Sequence, residues 1–253
     1  MAKVLVETDG AVRTVTLNRP EKRNALDSET LAGLEAAFAS PPAPQERVTV
    51  LRANGTVFCA GIDLRERVAS GSLAGASPIE HVLHLIENYP LPVVAVVQGD
   101  AIAGGNELAL HCDLVIASTA ARFGMSLSQI GLAPSWFLAK KLLEVAGPVA
   151  SREILLLGDP LPAARMHALG IISRVAEPAQ LEDVVARVVG RLAANAPLSL
   201  RAMNALLVRE MAFRDGVPHD AVDALVEAAR GSADAREGIT ARLEKREPRF
   251  EGR

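Results

Sequence analysis

Residues 92–118 read PVVAVVQGDAIAGGNELALHCDLVIAS, and the rest of the chain is organised around them. Val93, Val94, Ala95, Val96 and Val97 form an unbroken, mostly β-branched apolar run, the composition of a strand buried on both faces of a parallel sheet. Gly99, Gly104 and Gly105 follow, where the backbone can turn tightly and approach another segment. The pattern predicts a helix opening near Gly104 with Glu107 in its first turn, then a strand over 114–117. A strand that delivers free backbone N–H groups at a helix N-terminus is a place where developing negative charge is stabilised.

Working toward the N-terminus, apolar clusters over 4–7 and 12–17 flank Asp9-Gly10 and predict a β-hairpin. A polar loop over 18–24 leads to a helix capped by Asp27 or Ser28, with Leu31, Leu34 and Phe38 on its apolar face. Pro41, Pro42 and Pro44 end that helix, and 48–51 supplies a buried strand. The stretch 53–64, ANGTVFCAGIDL, is a turn with an apolar approach to Gly61. Small residues over 69–77 read as a surface loop or as a gate beside a cleft, and a helix over 79–88 follows.

Toward the C-terminus, Arg122-Phe123-Gly124 begins a crossing that ends in a helix over about 135–146. Helical stretches over 151–157 and 163–169, a return to the sheet over 171–175 and a helix over 181–194 complete the pattern. Asn195-Ala196-Pro197 marks a boundary, beyond which 198–214, 221–231 and 233–245 read as helices. The division is an α/β core over 1–195 and a helical region over 196–253.

Composition narrows the classes of function. With 253 residues, 49% of them hydrophobic, and a net charge of -3, the chain reads as a soluble globular protein with a large core. Lys and Arg are scattered and the pI is about 6.0, which argues against a nucleic-acid partner. The apolar runs are too short to span a membrane, and the N-terminus reads as a hairpin rather than a signal peptide, so a cytoplasmic location is the expectation. Cys59 and Cys112 form no CxxC pair, His81 and His84 lack a third ligand, and no metal site is expected. His111, His167 and His219 have no partner that the sequence names.

Five stretches, taken together and in order, resemble the crotonase, or enoyl-CoA hydratase/isomerase, superfamily. They are Asn18-Arg19-Pro20 with Asn24-Ala25-Leu26, the FCAGIDL at 58–64, residues 92–118, residues 158–175 and residues 234–250. The resemblance implies a spiral of ββα units with a C-terminal helical trimerisation region. It implies homotrimers, often paired into hexamers, and an acyl-CoA substrate with no cofactor beyond its coenzyme A moiety. It implies that the backbone N–H groups of Ile62 and Gly104 hold the thioester carbonyl, an oxyanion hole in which each donor is worth roughly 3 kcal/mol. Coenzyme A would lie along Arg23, Ala25 and the run Ala60 to Leu64, Asp63 included, with the Ala60 carbonyl toward the adenine. Arg65 and Lys245 would stand near phosphates, Lys245 coming from an adjacent subunit. Arg242 occupies the position where the family has an aromatic residue.

Hydratases of that family divide the proton work between two glutamates. Glu107 matches the first, and Leu127 stands at the second. Losing one general acid/base costs about 10²- to 10⁴-fold, which argues against ordinary hydration. Other branches carry an aspartate where this chain has Ser135, and Ser135-Trp136-Phe137-Leu138 replaces a glycine-rich turn. A dry, narrowed acyl pocket is therefore expected, with Trp136 as a wall. Glu107 also has a plain structural reading, because a glutamate in a first helical turn is favoured by the dipole. The sequence supports an enoyl-CoA isomerase or an atypical hydratase, with a malonyl-type decarboxylase or a catalytically silent acyl-CoA-binding paralogue as alternatives.

Overall fold

The computed structural model describes residues 2–69 and 77–252, so nearly all of the small-residue segment read above as a loop or gate lies outside the described residues. The strands are β1 (Val4–Asp9), β2 (Val12–Leu17), β3 (Val48–Ala53), β4 (Val93–Val97), β5 (Ala101–Ile102), β6 (Leu114–Ser118), β7 (Arg122–Gly124), β8 (Leu161–Pro162) and β9 (Arg174–Ala176). The helices of the first half are α1 (Ser28–Ala39), α2 (Leu64–Ala69), α3 (Glu80–Glu87), α4 (Gly104–Leu110) and α5 (Trp136–Arg152). Those of the second are α6 (Ala163–Ala168), α7 (Leu181–Ala194), α8 (Pro197–Met211), α9 (Asp220–Gly231) and α10 (Ala233–Glu244).

β1 and β2 form the expected antiparallel hairpin, with Asp9 opposite Val12. The main sheet continues in parallel in the order β1-β2-β3-β4-β6-β9, and β5, β7 and β8 make a second, smaller sheet. β4 is buried along its whole length because each face meets a different core. Val94 and Val96 pack with Val48, Val50 and Ile116 against Leu181, Val185 and Val189 of α7. Val93, Ala95 and Val97 face the larger core, which includes Leu34, Leu83 and Leu108. A strand covered on both sides has no polar face, which is why this one reads as a continuous apolar run.

Local signals in the sequence have visible counterparts. Asp27 is the N-cap of α1, its carboxylate accepting the Thr30 N–H at 2.9 Å. The helix starting after Ser135 breaks at Gly147 (φ 67°, ψ 173°), ahead of Pro148, and resumes to Arg152 and a π-helical turn over Glu153–Leu157. The C-terminal helices divide in two. α8 buries none of its residues and exposes Leu198, Leu206 and Leu207, whereas α10 returns to the core. A Cβ on Gly238 of α10 would meet the Ile130 carbonyl carbon at 2.4 Å, so only glycine allows that approach. Among the described residues no helix is long and apolar enough to cross a membrane.

Candidate active site

Two backbone segments are pressed together at the C-terminal end of the main sheet. A Cβ on Gly105 would lie 2.2 Å from the Cys59 carbonyl oxygen, and one on Gly61 (φ 88°) would lie 3.2 Å from the Gly104 nitrogen. Ala103 takes φ 49° and ψ −115°, a conformation L-residues avoid. It is held there because its N–H donates to the Gly124 carbonyl at 2.7 Å while its own carbonyl accepts the Glu107 N–H at 3.0 Å. That turn sets Gly104 at the first position of α4, where no helical carbonyl is available to its N–H. Ile62 and Gly104 both line one cavity of about 410 Å³. Among the described residues neither N–H donates to a backbone carbonyl outside regular elements.

Glu107 follows within the first turn of α4 and lines the same cavity. It is 1% exposed, and among the described residues neither carboxyl oxygen has a hydrogen-bond partner. Burial pushes its pKa up to about 8, with Lys141 opposing the shift and Glu80 adding to it. Asp100, another carboxylate lining the cavity, is tied to Arg122 at 2.6 Å.

One turn along α4, His111 donates its Nδ1–H to the Glu107 carbonyl at 2.8 Å, since a carbonyl can only accept. Its Nε2 is buried without a partner among the described residues, its ring stacks on Phe137 at 5.2 Å, and burial lowers its pKa to about 4. The 3.7 Å approach of His111 to the Glu107 carboxyl therefore joins two neutral groups at intermediate pH. The sequence names no partner for His111, although the four-residue spacing from Glu107 is a usable signal. Beyond it, Lys141 pairs with Glu87 and, at 3.2 Å, with Glu144.

Arg23, Ala60, Leu64 and Leu127, all named from the sequence, line the cavity. Ala25 and Asp63 do not. The Ala25 carbonyl accepts from Arg19 at 3.1 Å, and Asp63 caps α2 and pairs with Arg19 at 2.8 Å. Arg65 is exposed on α2. Lys245 caps α10 in a left-handed conformation (φ 59°) and lines a separate groove with Gln129 and Phe250, while Arg242 reaches the cavity.

The expectation for 135–138 is corrected in two ways. Ser135 is the N-cap of α5, accepting the Leu138 N–H at 3.4 Å, and Trp136 stacks on His219 at 4.6 Å instead of lining the cavity. Leu138 supplies the wall, because residues two apart lie about 200° apart around a helix and only one can face inward. Met125, Arg67, Arg122 and Arg230 also line the cavity and were not singled out from the sequence.

Residues 7–253 match the sequence model of the enoyl-CoA hydratase/isomerase family. The chain belongs to that family. Within the enoyl-CoA hydratase/isomerase family, the chain is 37% identical over 251 residues to a putative enoyl-CoA hydratase of Thermus thermophilus, covering 95% of this chain and 98% of the relative. It is 31% identical over 255 residues to (E)-benzylidenesuccinyl-CoA hydratase of Thauera aromatica, covering 98% and 99%. Its fold is similar to that of methylmalonyl-CoA decarboxylase complexed with 2S-carboxypropyl-CoA, at a TM-score of 0.92, 28% identity and coverage of 99% and 98%. These likenesses establish the crotonase-type α/β fold of this family member.

Proposed function

We propose that the cavity binds an acyl-CoA thioester with its carbonyl oxygen between the N–H groups of Ile62 and Gly104, and that Glu107 moves one proton as an enoyl-CoA isomerase. The carrying observation is that Glu107 is buried with no hydrogen-bond partner for its carboxyl oxygens among the described residues, while Leu127 lines the same cavity. The ionised Glu107 removes a proton from C2 of a 3-enoyl thioester. The electron pair passes into a dienolate whose oxygen accepts both N–H groups, and Glu107 returns the proton at C4, leaving a 2-enoyl thioester. Addition of water needs a second acid/base group, and Leu127 offers none. Incubation with 3-enoyl-CoA and 2-enoyl-CoA in heavy water tests this. The expected result is interconversion with deuterium entering C2 and C4, and neither turnover nor exchange of either compound would sink the proposal.

A second reading is decarboxylation of a malonyl-type thioester, supported by the likeness to methylmalonyl-CoA decarboxylase. A C2 carboxylate set among Met125, Leu127 and Leu138 would lose hydration, and cleavage of its C–C bond would leave an enolate in the same oxyanion hole. Protonated Glu107 would then deliver the proton to C2. Release of carbon dioxide from methylmalonyl-CoA separates the two readings. The exposed apolar face of α8 also supports assembly into trimers or hexamers, which sedimentation analysis would test.

A further inference from the structure

Ala133, Pro134 and Leu138 supply one wall of the cavity, and the stretch that carries them is gripped from outside by α9 and the turn before it. Three contacts make the grip. The Ala133 carbonyl accepts from Arg230 at 3.3 Å, Trp136 stacks on His219 at 4.6 Å with 5° between the ring planes, and Lys140 pairs with Asp215 at 2.6 Å. Ala133, Trp136 and Lys140 thus meet Arg230, His219 and Asp215, in the reverse of chain order, so the two stretches pass one another antiparallel.

The middle contact bears most directly on the cavity. Trp136 and Leu138 lie about 200° apart around α5, so the indole faces α9 while Leu138 faces the cavity, and a shift of one moves the other. The indole Nε1 is buried and has no hydrogen-bond partner among the described residues, so packing places this ring. The ring it packs on is itself fixed. His219, at the N-cap of α9, donates its Nδ1–H to the Asp223 carboxylate at 2.7 Å, which sets the plane of the imidazole. On the cavity side, Met125 and Leu138 are only 1% and 5% exposed although both line the open space, so that space touches them along a narrow strip. A strip of that width admits a straight chain and would clash with a side methyl.

We propose that His219 and Trp136 are positioning residues: their stack holds Leu138 inward, and the pocket thereby selects acyl groups that are unbranched beyond C2. This rests on the reading of the Glu107 cavity as an acyl-CoA site, and it holds whichever reaction occurs at C2. Calorimetric titration of the full-length protein with butyryl-CoA, 3-methylbutyryl-CoA and coenzyme A alone tests it. Wild type is expected to bind butyryl-CoA about tenfold more tightly than 3-methylbutyryl-CoA, or better. His219→Ala, which removes the ring, should bring that ratio to within about twofold while leaving coenzyme A alone within about twofold of wild type. His219→Phe, which keeps a ring for Trp136 to lie on, should retain a ratio of about fivefold or more. Trp136 is the only tryptophan in the chain, so its emission, shifted in His219→Ala, reads the stack directly.

A wild-type ratio near one overturns the proposal. An unchanged ratio in His219→Ala overturns it too, whether or not the Trp136 emission moves, because the wall would then stand without the stack. Equal loss of the ratio in His219→Ala and His219→Phe rules out ring packing as the cause, and equal weakening of coenzyme A and both thioesters in His219→Ala marks general damage; either result overturns the assignment. If neither thioester binds to wild type, it is the acyl-CoA reading itself that fails, and this inference falls with it.

Discussion

Glu107 and Glu87 are both largely withdrawn from water, and both feel Lys141, but their carboxyl groups are displaced in opposite directions. For each, burial is the largest influence and favours the protonated form. At Glu87 the charge and hydrogen bond of Lys141 overcome it, helped by His111 and Lys140, and the group is held below the ordinary carboxylate range. At Glu107 the same lysine acts only at a distance, and the pKa climbs to about 8. Lys141 is itself engaged by Glu87 and Glu144, so its charge is largely balanced before it reaches the cavity. The fold thus uses one carboxylate as the counter-ion of a lysine and leaves the other buried without a hydrogen-bond partner among the described residues, its pKa raised to about 8.

The most disruptive way to break this contrast is Lys141→Met, which leaves Glu87 and Glu144 without their cation. Removing one partner of a buried ion pair costs about 3–5 kcal/mol, and urea unfolding at pH 7 should show a loss of that order. A loss well under 1 kcal/mol would mean that water already solvates the cluster.

Glu107→Gln is the next test. The folded-state pKa of about 8 lies above the ordinary glutamate value of 4.5, so the stability tied to protonated Glu107 is complete below about 4.5 and is lost as pH rises through 8. Glutamine has no such dependence. The variant should therefore gain on wild type between pH 5 and 8, by on the order of 3 kcal/mol at the upper end, and the gap should level off above pH 8. Melting curves at pH 5, 6.5 and 8 measure it, and a gap that stays flat contradicts the raised pKa.

Glu87→Gln sharpens the comparison with a smaller effect. With one counter-ion gone, more of the Lys141 field reaches Glu107, and the midpoint of its titration should fall by on the order of half a unit. The pH dependence of proton exchange catalysed by the variant would show this.

The fold was legible because its main determinants are local. The β-branched run over 93–97, the Asp9-Gly10 turn and the Asp27 cap each have a short-range physical cause, and the structure contains the strand, the hairpin and the capped helix. Glu107, Ile62, Gly104 and Leu127 were legible through family motifs, and they converge on one cavity. Trp136 was misplaced because the turn at 135–138 was read as a wall without the helical rotation that turns Leu138 inward. Arg67 and Arg230 escaped notice because only tertiary packing brings them to one cavity, from positions 163 apart in the chain and with no shared motif. Lys141 was missed for the same reason, as its partner Glu87 lies on α3, a distant helix in sequence.

The most direct test of the account is exchange of the C2 protons of butyryl-CoA in heavy water, followed by mass spectrometry across pH for wild type and Glu107→Gln. Wild-type exchange is expected to rise with pH to a plateau above about 8, the pKa of Glu107, and the variant to be slower by about 10²- to 10⁴-fold throughout. Exchange that survives in the variant, or a wild-type midpoint near the ordinary glutamate value of 4.5, would contradict the assignment of Glu107 as the proton shuttle.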